Sequence, residues 1–478
     1  MGPGAKKLLS TLQAGVVLLA VWGLLAGVGL VAGVIPLFGG NSTPGHGTDP
    51  PAPDGGAPGP DAGMAAVADG ATDATVRDGA SNVSVLLPAT RYLACGTEAD
   101  SVPPALSTVS VLGRAGPELA VGCGAVVHLF AVRREGAVGA RVPVPTRVAW
   151  FSMTAAATGE DRVAAGPIAA GDVDGDGRPD LVIPFARTAA DGTTRGGSLF
   201  LVRRQASDGF EPGSLLGGIA AVGVGLASFD NRPGLDVAAL NRPSGQTGRP
   251  GELWVFGGGA SPVRVATLRA GRSATALAIA DLDRDGHADA IAVAQGDPRV
   301  DVFFGDGAGR FPRTSQVAVP GGSEITVGDL DGDEADDLVV RGEGLVLIRA
   351  AAETTFEPRP IDAPMDLTSI TIIDLDRDGK RDLIGIRPEG IARLRQMAGF
   401  VFEEQPPITL AGLRPAALAI ADFDGDSGLE AIVLCRAAPD APWELVLLTD
   451  VSSPGERSVA PAPIAPAAAP LVLHVPLE

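Results

Sequence analysis

The 478-residue chain is longer than one simple hydrophobic core usually fills, so several domains or a repeat architecture is expected. It contains 65 Gly and 40 Pro, yet its 45% apolar content is that of a packed protein rather than a disordered one. A formal charge of −20 without clustered Lys and Arg excludes a nucleic-acid or anionic-lipid surface.

From Gly15 to Ile35 the chain carries no charge over 21 positions, which at about 1.5 Å per residue cover roughly the 30 Å of a bilayer core. This predicts a transmembrane signal anchor over residues 14–38, behind a short cytoplasmic N-terminus, 1–13. Lys6 and Lys7 precede the run and no Lys or Arg follows until Arg77, so the positive-inside rule places the remainder outside the cytoplasmic membrane, periplasmic or on the cell surface. A cleaved signal peptide is the competing reading, but its apolar region is shorter, about 7 to 15 residues. Residues 39–83 are Pro, Gly, Ala and Asp with almost no large apolar side chain, and are expected to form a disordered linker. Three Lys against 34 Arg, with abundant Ala and Gly, point to a GC-rich bacterial gene.

Beyond the linker one unit recurs: apolar strand, acidic loop, apolar strand, short turn, further strand. The clearest copies are GDVDGDGRPDLVI from Gly171, ADLDRDGHADAIAV from Ala280, GDLDGDEADDLVV from Gly328, IDLDRDGKRDLIGI from Ile373 and ADFDGDSGLEAIVL from Ala421. Two copies keep the frame without the acids: the loop from Ser110 retains only Glu118, and the one from Ser228 retains Asp230 and Asp236. First loop positions fall at 110, 172, 228, 281, 329, 374 and 422, giving seven units of about fifty residues.

Oxygen ligands alternating along a tight loop suit Ca²⁺, which takes about 6 to 8 of them at roughly 2.3–2.6 Å. The predicted ligands are Asp172, Asp174, Asp176 and Asp180; Asp281, Asp283, Asp285 and Asp289; Asp329, Asp331, Asp333 and Asp337; Asp374, Asp376, Asp378 and Asp382; and Asp422, Asp424, Asp426 and Glu430. Glu334 and Ser427 stand where the turn expects Gly in the third and fifth of these loops. Five bound Ca²⁺ would offset about half of the formal charge. An Asp that only starts a turn needs no companions, whereas four carboxylates within nine residues repel one another unless a cation lies between them. EF-hands are excluded, because position 12 is Ile183, Ala292, Val340, Gly385 or Val433 rather than Glu and the flanks read as strands.

With the turn VDVFFGDGAGRF at 300–311, these loops give the chain a clear resemblance to the FG-GAP/VCBS repeat family, the propellers of integrin α subunits and many bacterial surface proteins. The resemblance covers about residues 84–478 and implies an all-β, seven-bladed β-propeller with Ca²⁺ held at a hairpin in the marked blades. The loops from Ser110 and Ser228 depart from it.

Cys95, Cys123 and Cys435 cannot all pair. Cys95 with Cys123 is the favoured bond, since Cys123 and Cys435 occupy equivalent strands of units too far apart to bridge. No catalytic constellation stands out: His46 lies in the linker, His128 in a strand, His287 inside an acidic loop and His474 near the end, while the prominent carboxylates belong to the loops. Trp254 and Phe256 share a strand face and are expected to pack in the core; Arg203, Arg204, Arg393 and Arg395 are expected on outer strands facing water. The expected function is a non-enzymatic binding, adhesion or scaffold module for a protein or glycan partner, the alternative being a lyase or hydrolase acting on an envelope or extracellular polysaccharide.

Overall fold

The computed structural model describes residues 85–86, 89–95, 104–114, 116–135, 142–153, 162–189, 191, 193–207, 209–211, 213–241, 250–272, 274–294, 297–350, 356–364, 366–398, 400–449, 451, 457–459, 464–465 and 474–477. The expected anchor and linker lie outside them; among the described residues no helix is long and apolar enough to cross a membrane. Every regular element described is a strand, and the strands form seven sheets.

Each sheet is one blade of consecutive antiparallel strands: residues 105–153, 162–217, 221–272, 274–318, 324–361, 368–410 and 414–448 for blades 1 to 7. First strands touch their neighbours all the way round, from Ala105–Val109 of blade 1 through Arg414–Ala421 of blade 7 and back. The ring is therefore closed.

Second strands read as unbroken apolar runs because both of their faces are covered. Leu181 and Ile183 of blade 2 face blade 1, whereas Val182 between them faces blade 3. Leu338 and Val340 face blade 4 while Val339 faces blade 6. Alternation thus distributes each strand between two wedges of core, one wedge between every pair of neighbouring blades.

Closure uses the two ends of the described chain. Ala89–Cys95 forms the outer strand of blade 7, antiparallel to Trp443–Leu448, so the first long strand in sequence completes the last blade. Arg91 Nε pairs with Glu444 Oε2 at 2.6 Å across this seam, with both side chains largely buried. Cys95 bonds to Cys123 on the second strand of blade 1, as expected, at a Cα–Cα distance of 5.6 Å; Cys435 is a buried free thiol. Short parallel strands near the C-terminus then edge blades 6, 7 and 1: Arg457–Val459, Ile464–Ala465 and His474–Leu477.

The disulfide joins two blades across the seam and closes a loop with a sequence separation of 28. Cys123→Ala is expected to lower the unfolding free energy by about 3–4 kcal/mol in denaturant titrations under oxidising conditions. Equal stability of variant and wild type would mean that the seam holds without the bond.

Candidate metal sites on one face of the ring

In every blade the loop between first and second strands follows one plan. Position 2 is a buried apolar side chain: Val111, Val173, Phe229, Leu282, Leu330, Leu375 or Phe423. Position 4 adopts the left-handed conformation in all seven loops, at Gly113, Gly175, Asn231, Arg284, Gly332, Arg377 and Gly425. Side chains seldom accept that conformation. Where position 4 is not Gly, its side chain reaches the next blade: Asn231 Nδ2 donates to the Gly307 carbonyl at 2.7 Å, Arg284 binds Asp333, and Arg377 donates to the Ser427 carbonyl.

Position 9 opens the second strand and is buried in all seven blades: Glu118, Asp180, Asp236, Asp289, Asp337, Asp382 and Glu430. Its carboxyl accepts the backbone N–H of position 2 each time, at distances from 2.7 Å for Phe229 to 3.2 Å for Val173 and Leu330. In blades 2 to 6 the other oxygen accepts an N–H from the end of the third strand, donated by Arg204, Gly258, Gly305, Ala350 or Gln396. The ninth residue thus clips the loop to its sheet. Burial pushes Asp180 and Asp337 up to about 6 and Asp289 and Glu430 up to about 7, with nearby loop acids adding to the rise.

The first acid is held as firmly. Asp172 accepts the N–H groups of Gly175 at 2.8 Å, Asp176 at 3.0 Å and Gly177 at 2.8 Å. Glu334 and Ser427, which replace the expected Gly, adopt positive φ of 67° and 71° and donate in the same way to Asp329 and Asp422, each at 2.9 Å. Both departures therefore leave the loop geometry intact.

Five loops gather acids whose ligand atoms lie within 4.8 Å of one another: Asp172, Asp174 and Asp180; Asp281, Asp283 and Asp285; Asp329, Asp331 and Asp333; Asp374, Asp376 and Asp378; Asp422, Asp424 and Glu430. Asp176 and Asp426 sit at the fifth position of their loops, and Asp289, Asp337 and Asp382 act through the position-9 clip. Asp283 is 5% exposed, and its Oδ1, like Asp374 Oδ1, is buried without a hydrogen-bond donor. Orphaned carboxylate oxygens converging in a turn fit a hard cation, which supplies the missing partner.

Residues 281–340 match the FG-GAP-like repeat and residues 168–201 the FG-GAP repeat. The chain carries FG-GAP repeats in a seven-bladed β-propeller. No curated protein matches it. Among solved structures it is similar to an Agrocybe aegerita lectin described as recognising non-reducing terminal N-acetylglucosamine, with 14% identity, 77% of this chain and 87% of that chain covered, and a TM-score of 0.43. It is also similar to two structures of BBS1N in complex with ARL6DN: soaked with lead, 9% identity, coverage of 78% and 99%, TM-score 0.48; soaked with mercury, 11%, 60% and 93%, 0.32.

The loops of this propeller share one face, because each touches the next blade's end of the same side. Leu235 N donates to the Asp172 carbonyl at 2.8 Å, Gln396 Nε2 to that of Leu330 at 2.9 Å, and Gly116 abuts the Phe423 carbonyl so closely that a Cβ there would clash. The two acid-poor loops are secured by contacts from the next blade. Arg204 donates to the carbonyls of Val111 at 2.6 Å and Leu112 at 3.2 Å, and the Gly305–Phe311 turn folds over the blade 3 loop through Gly309 N and the Phe229 carbonyl at 2.8 Å.

The expectation that four arginines face water from outer strands changes. Arg393 is buried, its guanidinium spent on the carbonyls of Pro406 at 2.6 Å and Val451 at 3.2 Å. Arg204 crosses to blade 1, and Arg203 and Arg395, though partly exposed, turn onto loop acids, so carbonyls and carboxylates at this face engage them as well as water. His128 is buried beside Arg147, and burial first, then that positive charge, lowers its pKa to about 4, leaving a neutral core residue. Trp254 and Phe256 pack against blade 2, as expected.

Because blade 3 keeps position 9 without the full acid set, Asp236→Ala isolates the clip. It strands the N–H groups of Phe229, Asp230 and Gly258, and urea unfolding should show a loss of about 2–5 kcal/mol. The same loss is expected in Ca²⁺ and in EDTA; an unchanged midpoint would remove the clip from the account.

Proposed function

We propose that this chain is a membrane-anchored, extracytoplasmic FG-GAP propeller that binds Ca²⁺ in five of its seven loops and serves as a binding, adhesion or scaffold module for a protein or glycan partner. The observation that carries the reading is the set of five carboxylate clusters on one face, with the buried orphan oxygens of Asp283 and Asp374 among them. Asp172, Asp281, Asp329, Asp374 and Asp422 would start each site, positions 3 and 5 would supply further oxygens, and position 9 would close it. The ion would replace repulsion among these acids by attraction and stiffen each hairpin.

The extracytoplasmic assignment is supported by the uncharged run from Gly15 to Ile35 behind Lys6 and Lys7, and by the abundance of Ca²⁺ outside cells, where modules with weak sites stay loaded. A role in binding is supported by how the polar groups are used: the loop acids face one another and backbone N–H groups, and His128 is neutral and buried. Such a rigid ring presents its connecting loops in fixed positions, the usual scaffold for recognition.

The decisive experiment presents the full chain to a glycan array and to envelope extracts, in Ca²⁺ and in EDTA, alongside a turnover screen on polysaccharides. Retention that depends on Ca²⁺ without product supports the module; reproducible product formation would replace it by the enzyme.

A further inference from the structure

Four of the five acidic loops share a feature that cation binding alone does not require. In blade 2, Arg203 Nε lies 3.1 Å from Asp174 Oδ2. In blade 5, Arg349 pairs with Asp331 and lies 3.6 Å from Asp333; in blade 6, Arg395 lies 2.5 Å from Asp376 and 3.3 Å from Asp378. These three arginines occupy one structural position, directly after the third-strand residue that pairs with the residue following the ninth acid: Val202 opposite Leu181, Ile348 opposite Leu338, Leu394 opposite Leu383.

Blade 4 has Phe304 at that position, and the charge arrives by another route. Arg313, from the head of the fourth strand, lies over the Phe304 ring at 5.0 Å, pairs with Asp283 and comes within 3.7 Å of Asp285. Phe400 braces Arg349 in a similar way, at 5.4 Å. In the acid-poor loops of blades 1 and 3 the equivalent residues are Ala131 and Gly257, neither of them charged. Blade 7, the fifth acidic loop, has Thr449 at that position, so an arginine meets the acids in four of the five acidic loops and is missing from this position in both acid-poor ones.

We infer that Arg203, Arg313, Arg349 and Arg395 are built-in competitors that set the cation affinity of their loops, an inference that rests on the calcium reading above. A guanidinium on a loop carboxylate neutralises it when no ion is bound, and stands a few ångströms from a divalent ion when one is. Both effects weaken binding, one by lowering the energy of the empty loop and the other by repulsion. Side-chain exposures of 21%, 49%, 38% and 42% leave each arginine a path into water when the ion enters. The empty loop is therefore stable enough to keep its shape, and the loaded loop fills only at high Ca²⁺.

The test compares the full-length wild type with R203M/R349M/R395M and R203K/R349K/R395K, by calorimetric Ca²⁺ titration and by melting in EDTA. A unit charge about 6 Å from a divalent ion, in screening close to that of water and salt, corresponds to about a three- to tenfold change in affinity. The Met triple should bind Ca²⁺ tighter by that factor and melt lower in EDTA, while the Lys triple stays near the wild type in affinity. Unchanged or weaker Ca²⁺ binding by the Met triple overturns the inference. A wild type that takes up no Ca²⁺ overturns the calcium reading instead, and the inference with it. Should the Met triple fail to fold without metal, R349M alone supplies the same comparison.

Discussion

Seven buried carboxyl groups hold one end of this ring. Each sits at the start of a second strand and accepts the N–H of a loop residue whose own side chain is buried, so the polar clip and the apolar anchor act on adjacent atoms. Removing a carboxylate from water is costly, and the cost is met only because backbone donors that would otherwise lack partners point at it. That trade fixes the turn, and in the five acidic loops the turn brings positions 1 and 3 together with position 5 or position 9. A bound ion would therefore be an addition to a loop the protein has already shaped.

This order of dependence explains why two blades can forgo the acids. Blades 1 and 3 keep Glu118 and Asp236, hence the frame, and are secured by contacts from the next blade: the Arg204 guanidinium in one case, the Gly305–Phe311 turn in the other. Elsewhere Arg284 and Arg377 accept a strained backbone and use their length to tie neighbouring loops. The face is a continuous chain of blade-to-blade links, some ionic, some through backbone, while the seam between blades 7 and 1 has a disulfide as well.

Much of this was legible in the sequence. The seven units, their loop positions and the five acidic copies follow from spacing, and apolar flanks such as DLVI read as strands. The survival of Glu118 and Asp236 in the acid-poor copies also pointed to the ninth position, although a carboxylate that clips backbone and one that binds metal look alike as letters. What spacing could not show is anything that depends on which strands become neighbours across the ring. The closing role of Ala89–Cys95 and the contact of buried Arg393 with Val451 arise from such neighbours, while the turning of Arg203 and Arg395 onto acids depends on strand pairing within their own blades. Local sequence marks those arginines only as charged, hence exposed.

The central claim is that the acids are spaced to hold metal and that the frame survives where they are lost. Counting bound Ca²⁺ per chain at saturation, by equilibrium dialysis with elemental analysis, tests it most directly. Five ions for each chain is the predicted result, one for each complete loop. Seven would mean that the acid-poor loops also bind, and none would mean that the clusters are held by arginine and backbone alone.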